Sequence, residues 1–352
     1  MRSTGLVRPL LALALLASCG GGSTTADTTP ETIGLSTIPP TVAPASTVPP
    51  ATAPPTTAIP EVVFPLTGLP VNDSPLAARP ALVVKIDNST GAIPQTGFTA
   101  ADLVYEEVIN DGVTRFAMVF QSGDSDPVGP CRSGRIQDVD LFGSLNGPLF
   151  AWSGGNESVT RAINKSDLVN LGPNYAAVYF RGNQHKAPHN LYTKTTDIYT
   201  FAPPESQPPA QQFQYRDAAE ALAGVASPGV HLEMDSYRID WTWNAATGLY
   251  ERQQNGKVHK DAATDSVATT NNIVVLVMVY KPGQYSGSPD AQSVGTGEAF
   301  VFTGGNYVHG IWTRADRLQP FTLTDDAGLP IKLTPGRTWI ELPRADQTTP
   351  TV

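Results

Sequence analysis

The spacing of apolar residues divides the chain into stretches with different physical requirements. Residues 9–16 (Pro9-Leu10-Leu11-Ala12-Leu13-Ala14-Leu15-Leu16) form a short apolar run behind Arg2 and Arg8. A basic start followed by a run too brief to span a bilayer has the form of an export leader. Residues 20–60 then carry mostly Thr, Pro, Ala, Ser and Gly. So little apolar surface cannot offset the entropy of ordering, and the prolines favour polyproline II, so this stretch predicts an unfolded, semi-rigid spacer.

Strand and helix periods begin near Glu61. The run Ala81-Leu82-Val83-Val84-Lys85-Ile86 predicts a buried strand, closed by Asp87-Asn88. Thr99-Ala100-Ala101-Asp102 matches a capping box and predicts a short helical turn. Residues 103–109 and 113–121 predict two strands, joined as a hairpin through Asn110-Asp111-Gly112. Ile136, Val139, Phe142 and Leu145 recur at helical spacing over 135–145. A strand over 148–153, a helix over 157–168 behind Gly154-Gly155-Asn156, and a strand over 176–181 follow. The Pro-rich stretch 201–209 interrupts this pattern. Beyond it, one helix is expected over 215–222, then strands over 237–243, 273–280, 299–303, 307–313, 321–324 and 338–342, with a frayed tail at 344–352. The expected fold is α+β: a mixed α/β domain at 61–202, a Pro-rich connection at 203–209, and a mainly β domain at 210–343, a small sandwich or open barrel.

Composition narrows the functional classes. The apolar leader ends in Leu16-Ala17-Ser18-Cys19, small residues before a thiol, which predicts cleavage after residue 18 and lipidation of Cys19. Several acyl chains at about 0.8 kcal/mol per buried methylene would hold such a chain firmly on the extracytoplasmic face of the cell membrane. Loss of residues 1–18 with their two arginines takes the formal charge from −9 to −11. So acidic a chain is a poor candidate for nucleic acid. Of its two cysteines, Cys19 is taken by lipid and Cys131 has no partner, so stability must come from a packed core.

Several motifs carry a resemblance. Arg79-Pro80, Lys85-Ile86-Asp87-Asn88, Ala101-Asp102-Leu103-Val104-Tyr105-Glu106 and Gly112-Val113-Thr114-Arg115-Phe116 resemble those of the YerB-like lipoproteins. So do Gly129-Pro130-Cys131-Arg132-Ser133-Gly134-Arg135, Lys186-Ala187-Pro188-His189-Asn190-Leu191-Tyr192, Gly310-Ile311-Trp312 and Pro335-Gly336-Arg337-Thr338-Trp339-Ile340. The likeness runs over about residues 64–343 and implies an envelope lipoprotein of two adjoining domains whose function is unknown. It also implies an aliphatic residue where Cys131 stands, which counts against that thiol as a nucleophile.

The densest polar constellation lies in the first half. Arg132 and Arg135, three residues apart at an expected helix start, place two planar forks beside free helix N–H groups, a receptor for phosphate or carboxylate. Arg115, Arg181, His185, Lys186 and His189 complete the candidate anion site, with Glu106, Asp138 and Asp140 as acidic partners. The competing reading is that Glu106, Glu107, Asp138 and Asp140 simply pair with these arginines. His185 and His189 have a metal-binding spacing, but Pro188 breaks the helix that would align them, so no metal site is read and no cofactor is expected. Gly154-Gly155-Asn156 is read first as a tight turn, and Trp241, Trp243, Trp312 and Trp339 as core. The leading expectation is a non-catalytic module that binds an anionic or glycan envelope ligand, or an envelope protein. A structural scaffold is one alternative. Another is a divalent-metal-dependent phosphotransferase or hydrolase acting on polyprenyl-pyrophosphate-linked glycans, loosely similar in element order to the LytR-CpsA-Psr phosphotransferases.

Overall fold

The computed structural model describes residues 62–283 and 288–351. The leader, Cys19 and the Thr/Pro-rich spacer lie outside the described residues. In chain order the first half holds β1 (Leu82–Asp87), β2 (Leu103–Val108), β3 (Thr114–Phe120), α1 (Asp138–Leu141), β4 (Leu149–Ala151) and α2 (Glu157–Lys165). Then come β5 (Val169–Asn170), β6 (Phe180–Arg181), β7 (Leu191–Tyr192) and α3 (Thr195–Tyr199). The second half supplies β8 (Val225–Ala226), β9 (Gly229–Met234), β10 (Tyr237–Asn244), β11 (Leu249–Gln254), β12 (Lys257–Val258), β13 (Thr269–Thr270) and β14 (Asn272–Leu276). It ends with β15 (Tyr280–Pro282), β16 (Pro289–Ala291), β17 (Gly295–Thr303), β18 (Asn306–Arg314), β19 (Thr322–Asp325), β20 (Thr338–Leu342) and β21 (Thr348–Thr351). No helix among the described residues is long and apolar enough to cross a membrane.

The continuous apolar character of β1 is explained by its position, since all six residues are buried and both faces are covered. It pairs antiparallel with β3 and parallel with β4. The β2–β3 hairpin turns through Asp111 and Gly112, both in the left-handed region at φ 64° and 69°. The large sheet runs β19-β18-β17-β14-β20-β2-β3-β1-β4-β5, with β8 beside β18. Its middle is the informative part. β20, from near the end of the chain, lies parallel between β14 and β2, so one sheet is shared by strands from both sides of the Pro-rich stretch.

Alternation along these strands feeds two cores. Val84, Ile86, Phe116 and Met118 face one way, toward Val230, Leu232, Ile239, Trp241 and Tyr250 of a second sheet ordered β12-β11-β10-β9-β21. Trp339 of β20 sits in this layer against Phe98, Phe116 and Trp241, at ring separations of 5.1, 5.5 and 5.0 Å. Val83, Leu103, Tyr105, Ala117 and Val119 face the other way, under Leu141, Phe142, Val159 and Ile163. The α+β class and the strand-rich second half hold. That half closes no sandwich of its own: part extends the large sheet and part covers one of its faces.

Several local expectations are corrected. Residues 215–222 form no helix; Tyr215 bridges to Leu333 and its hydroxyl donates to Leu66 O at 2.6 Å, so tertiary pairing overrides the local pattern. Residues 344–351 are no frayed tail, because β21 pairs with β9 and Arg344 reaches Asp235 at 2.9 Å. Over 135–145 only α1 and a 3-10 turn at Gly143–Leu145 are helical. Asp102 caps no helix; its buried carboxylate accepts from the backbone of Gln121 and Ser122 at 2.6 and 2.8 Å. Only Phe180–Arg181 of the 176–181 run is strand, and the 273–280 run breaks after Leu276 before β15.

Candidate functional site

The end of β1 is where the polar residues of the first half collect. Along β1 the odd-numbered residues share a face, so Lys85 and Asp87 point the same way, and Glu107 and Arg115 join them across the β1–β3–β2 register. The segment 129–133 then runs over this end as a makeshift strand. Asp87 N donates to Pro130 O at 2.9 Å, Arg132 N to Lys85 O at 2.9 Å, and Cys131 N to Leu191 O at 2.6 Å. This threading between β1 and β7 brings Arg132 from one side and His189 from the other onto the Asp87 carboxylate.

Asp87 is fully buried. It accepts from Ser89 N at 2.9 Å, from the Ser89 hydroxyl, and from His189 Nδ1 at 2.7 Å, with Arg132 Nε at 3.3 Å. Burial pushes its pKa up, yet the hydrogen bonds of Ser89 and His189 and the charge of Arg115 outweigh burial and hold it below the ordinary carboxylate range. It is therefore a firm anion at neutral pH. His189, held at Nδ1, has its ring orientation set by that contact.

Arg115 is only 5% exposed. Its Nη1 donates to Ser133 O at 3.2 Å, while Nε is buried without a partner. Burial, with Arg135 and Arg132 nearby, pushes its pKa down to about 9. Arg135 donates from Nη1 to Gly134 O and from Nη2 to Asn110 Oδ1, both at 3.1 Å, and its Nε too lacks a partner. Burial lowers its pKa, against the pull of Glu107 and Asp138.

The expected acidic partners do not neutralise this group. Glu106 and Glu107 are neighbours on a strand, so they point to opposite faces. Glu106 is salt-bridged to the buried Arg252 at 2.5 Å. Glu107 and Asp138 both bind Lys85, at 2.5 and 2.9 Å, and Gln137 Nε2 donates to Glu107 at 2.6 Å. Asp138 also accepts from Arg135 N at 2.6 Å, so its hydrogen bond is to the Arg135 backbone and not to the guanidinium. Asp140 is exposed on α1 with no ion pair among the described residues. Asp87, absent from the expected partners, makes the sole carboxylate salt bridge to Arg115, Arg132 or Arg135 among the described residues. Strand alternation from Lys85 was the signal that could have found it.

A cavity of about 340 Å³ opens beside Arg135, lined also by Asn110, Ser133, Gly134, Gly155 and Asn156. Asn156 caps α2, its Oδ1 accepting from Val159 N at 2.9 Å. Gly155 is at φ 159° and a Cβ there would stand 2.7 Å from the Trp152 ring, so the turn needs a glycine to pass.

The remaining candidates are more peripheral. Arg181, on exposed β6, donates to Asn190 Oδ1 at 2.7 Å. His185 Nε2 lies 3.1 Å from Pro94 O and does not converge with His189; Lys186 is exposed. Among the described residues no three His, Cys, Asp or Glu side chains are grouped to hold a metal. Cys131 is buried, and burial pushes its thiol up to about 12, an inert state. Trp241, Trp312 and Trp339 are core residues.

The opposite face holds a second polar network, unforeseen in the sequence. Arg252 donates to Glu106, Gln254 and His259 and lies within 5.1–5.8 Å of the Phe116, Trp241 and Trp339 rings. Glu341, beside Glu106 in the β2–β20 register, accepts from Trp241 Nε1 at 2.8 Å. Burial, then the neighbouring Glu106 charge, raises its pKa well above the ordinary value. Nothing here reaches solvent, so this network fastens the smaller sheet to the large one.

An extended mixed sheet with a second sheet packed on one face is a fold shared with a known family. The chain belongs to the family described as protein of unknown function DUF3048, whose N-terminal domain matches residues 66–207 and whose C-terminal domain matches residues 230–340. Over 283 residues it is 28% identical to a protein of Bacillus subtilis (strain 168) named "Putative lipoprotein YerB", covering 75% of this chain and 81% of that one. The crystal structure of the YerB protein from Bacillus subtilis has the same fold, with a TM-score of 0.74 at 22% identity over 83% of this chain and 100% of that chain.

Proposed function

We propose that this chain is a cell-envelope lipoprotein, anchored through Cys19 on the extracytoplasmic face, whose body binds an anionic ligand at Arg115, Arg132, Arg135 and His189. The anchor is supported by the leader and Leu-Ala-Ser-Cys motif and by similarity to a protein named as a lipoprotein. The spacer at 20–60 carries the body clear of the lipid, toward cell-wall glycan or an envelope protein. One observation carries the binding site. Three arginines gather beside one carboxylate, and the four other acids that stood to neutralise them are engaged elsewhere or exposed. Guanidinium groups with so few carboxylate partners suit a phosphate or carboxylate, which can take charge-assisted bonds from them.

A second reading, phosphoryl transfer or hydrolysis, is favoured by the Asp87–His189 contact at 2.7 Å. A carboxylate that orients an imidazole leaves the other ring nitrogen for general acid or base work. A divalent ion in such a reaction would draw part of its donor set from the ligand's own phosphates.

Thermal unfolding of the purified chain against phosphate, pyrophosphate and carboxylates, with and without magnesium, tests the reading. A ligand at a hundred times its Kd adds about 2.7 kcal/mol of stability. The expected result is a shift with a phosphate or carboxylate that Arg132→Ala with Arg135→Ala abolishes, the variant still unfolding in one cooperative transition. No shift with any anion, or a shift untouched by both substitutions, overturns the site.

A further inference from the structure

The cavity beside Arg135 does not end at the anion cluster. Gly155 also lines a second hollow of about 120 Å³, together with Trp152, Gly154, Gly172, Asn174 and Tyr175 among others. The turn between them consists of Gly154 and Gly155, both at positive φ, and a Cβ on Gly155 would strike the Trp152 ring. At Gly155, therefore, no side chain stands between the two hollows.

The walls of the second hollow differ in chemistry from those of the first. Tyr175 is 50% exposed, an aromatic ring left open to solvent. It is nonetheless fixed: its backbone N donates to Gly172 O at 2.8 Å, and its hydroxyl accepts from Asn164 Nδ2 at 2.9 Å. Asn164 Oδ1 accepts in turn from Asn170 Nδ2 at 2.6 Å, and Asn170 Oδ1 accepts from Trp152 Nε1 at 2.8 Å. Asn174, next to Tyr175, is exposed at the rim. A rigid aromatic face beside amide donors and acceptors suits a ring that is apolar on its C–H face and hydroxylated at its edge, which describes a sugar. The first hollow offers the opposite complement, with Arg135 and the buried Arg115, whose Nη1 holds Ser133 in the cavity wall.

We infer that the two hollows form one site for a phosphorylated saccharide, its phosphate on the arginine cluster and a sugar ring on Tyr175. The inference rests on the anion-binding reading and deepens it: charge anchors the ligand, and the aromatic subsite selects what the phosphate carries.

Binding of inorganic phosphate, N-acetylglucosamine and N-acetylglucosamine 1-phosphate to the full chain, followed by titration calorimetry, separates the two. The expected order is sugar phosphate at least tenfold tighter than phosphate, with the uncharged sugar weakest. Tyr175→Ala should bring the sugar phosphate down to the affinity of phosphate without altering phosphate itself, Tyr175→Phe should keep most of the gain, and Arg135→Ala should weaken both phosphates. Equal affinity for phosphate and sugar phosphate, or an unchanged preference in Tyr175→Ala, overturns the sugar subsite and leaves the anion site standing. Failure of every phosphate to bind overturns both. The same headgroup presented on a polyprenyl pyrophosphate in vesicles distinguishes a lipid-borne ligand from a soluble one: tighter binding in either form supports the inference if Tyr175→Ala abolishes it.

Discussion

Replacing Lys85 with methionine strikes the support beneath the arginine cluster. The Lys85 ammonium is fully buried, 2.5 Å from Glu107, 2.9 Å from Asp138 and 5.7 Å from the Phe142 ring centre. Methionine keeps most of the volume and removes the charge. Glu107 is then left with Gln137 and Asp138 with Arg135 N, both at 2.6 Å, and the two carboxylates lose the cation bonded to both. Removing one partner of a buried ion pair costs about 3–5 kcal/mol, which for a body this size lowers Tm by something on the order of 10 °C. The loss should depend on pH. In the native protein burial, then Glu107, raises the Asp138 pKa to about 6 while Lys85 pulls it down. A carboxyl whose folded pKa exceeds its unfolded value of 3.8 holds more protons when folded, so stability falls as pH rises from 3.8 to about 6. Without Lys85 that window extends upward, and Lys85→Met should lose more stability at pH 8 than at pH 5. Urea unfolding at both values measures this. Adding Glu107→Gln and Asp138→Asn should recover much of the loss at pH 8, since the charges left unpaired are gone. A cost below about 1 kcal/mol at pH 8, or the same cost at both pH values, would refute the assignment of Lys85 as counter-ion to both acids.

Glu341→Gln should stabilise the protein progressively as pH rises. Its folded pKa is raised, so the native side chain contributes stability below about 4.5 that is lost upward to the folded value; urea midpoints at pH 5 and pH 8 with an unchanged difference between variant and parent would contradict this. Truncation after Arg344 removes β21 and uncovers the edge of β9; faster hydrogen exchange in β9 with unaltered exchange in β1 is expected, and equal exchange in β9 would show that β21 protects nothing.

Local pattern revealed much of the fold, and particular residues show where it stopped. The six buried residues of β1, the Asn110-Asp111-Gly112 turn and the Asn156 cap of α2 follow from short-range chemistry, because strand period, left-handed φ and an unsatisfied helix N–H are local demands. Residues 215–222 and 344–351 depart from their local pattern because their backbone pairs with Leu333 and with β9, partners more than a hundred residues away. The arginines at 115, 132 and 135 were visible as a dense group, whereas their lack of a salt bridge to Glu106, Glu107, Asp138 or Asp140 was not. That depended on Glu106 and Glu107 facing opposite sides of one strand, and on Arg252 waiting on the far side.

Local sequence pattern was enough for the α+β class, the strand-rich second half and the presence of a dense group of basic residues in the first half. Long-range packing was needed to insert β20 between β14 and β2, to stand Asp87 among the arginines, and to bring Gly155 and Asn156 to the cavity beside Arg135. The physical reason is range: periodicity says which face of an element is apolar, but strand neighbours and charge partners are selected by the joint packing of distant segments, each of which many registers would satisfy on its own.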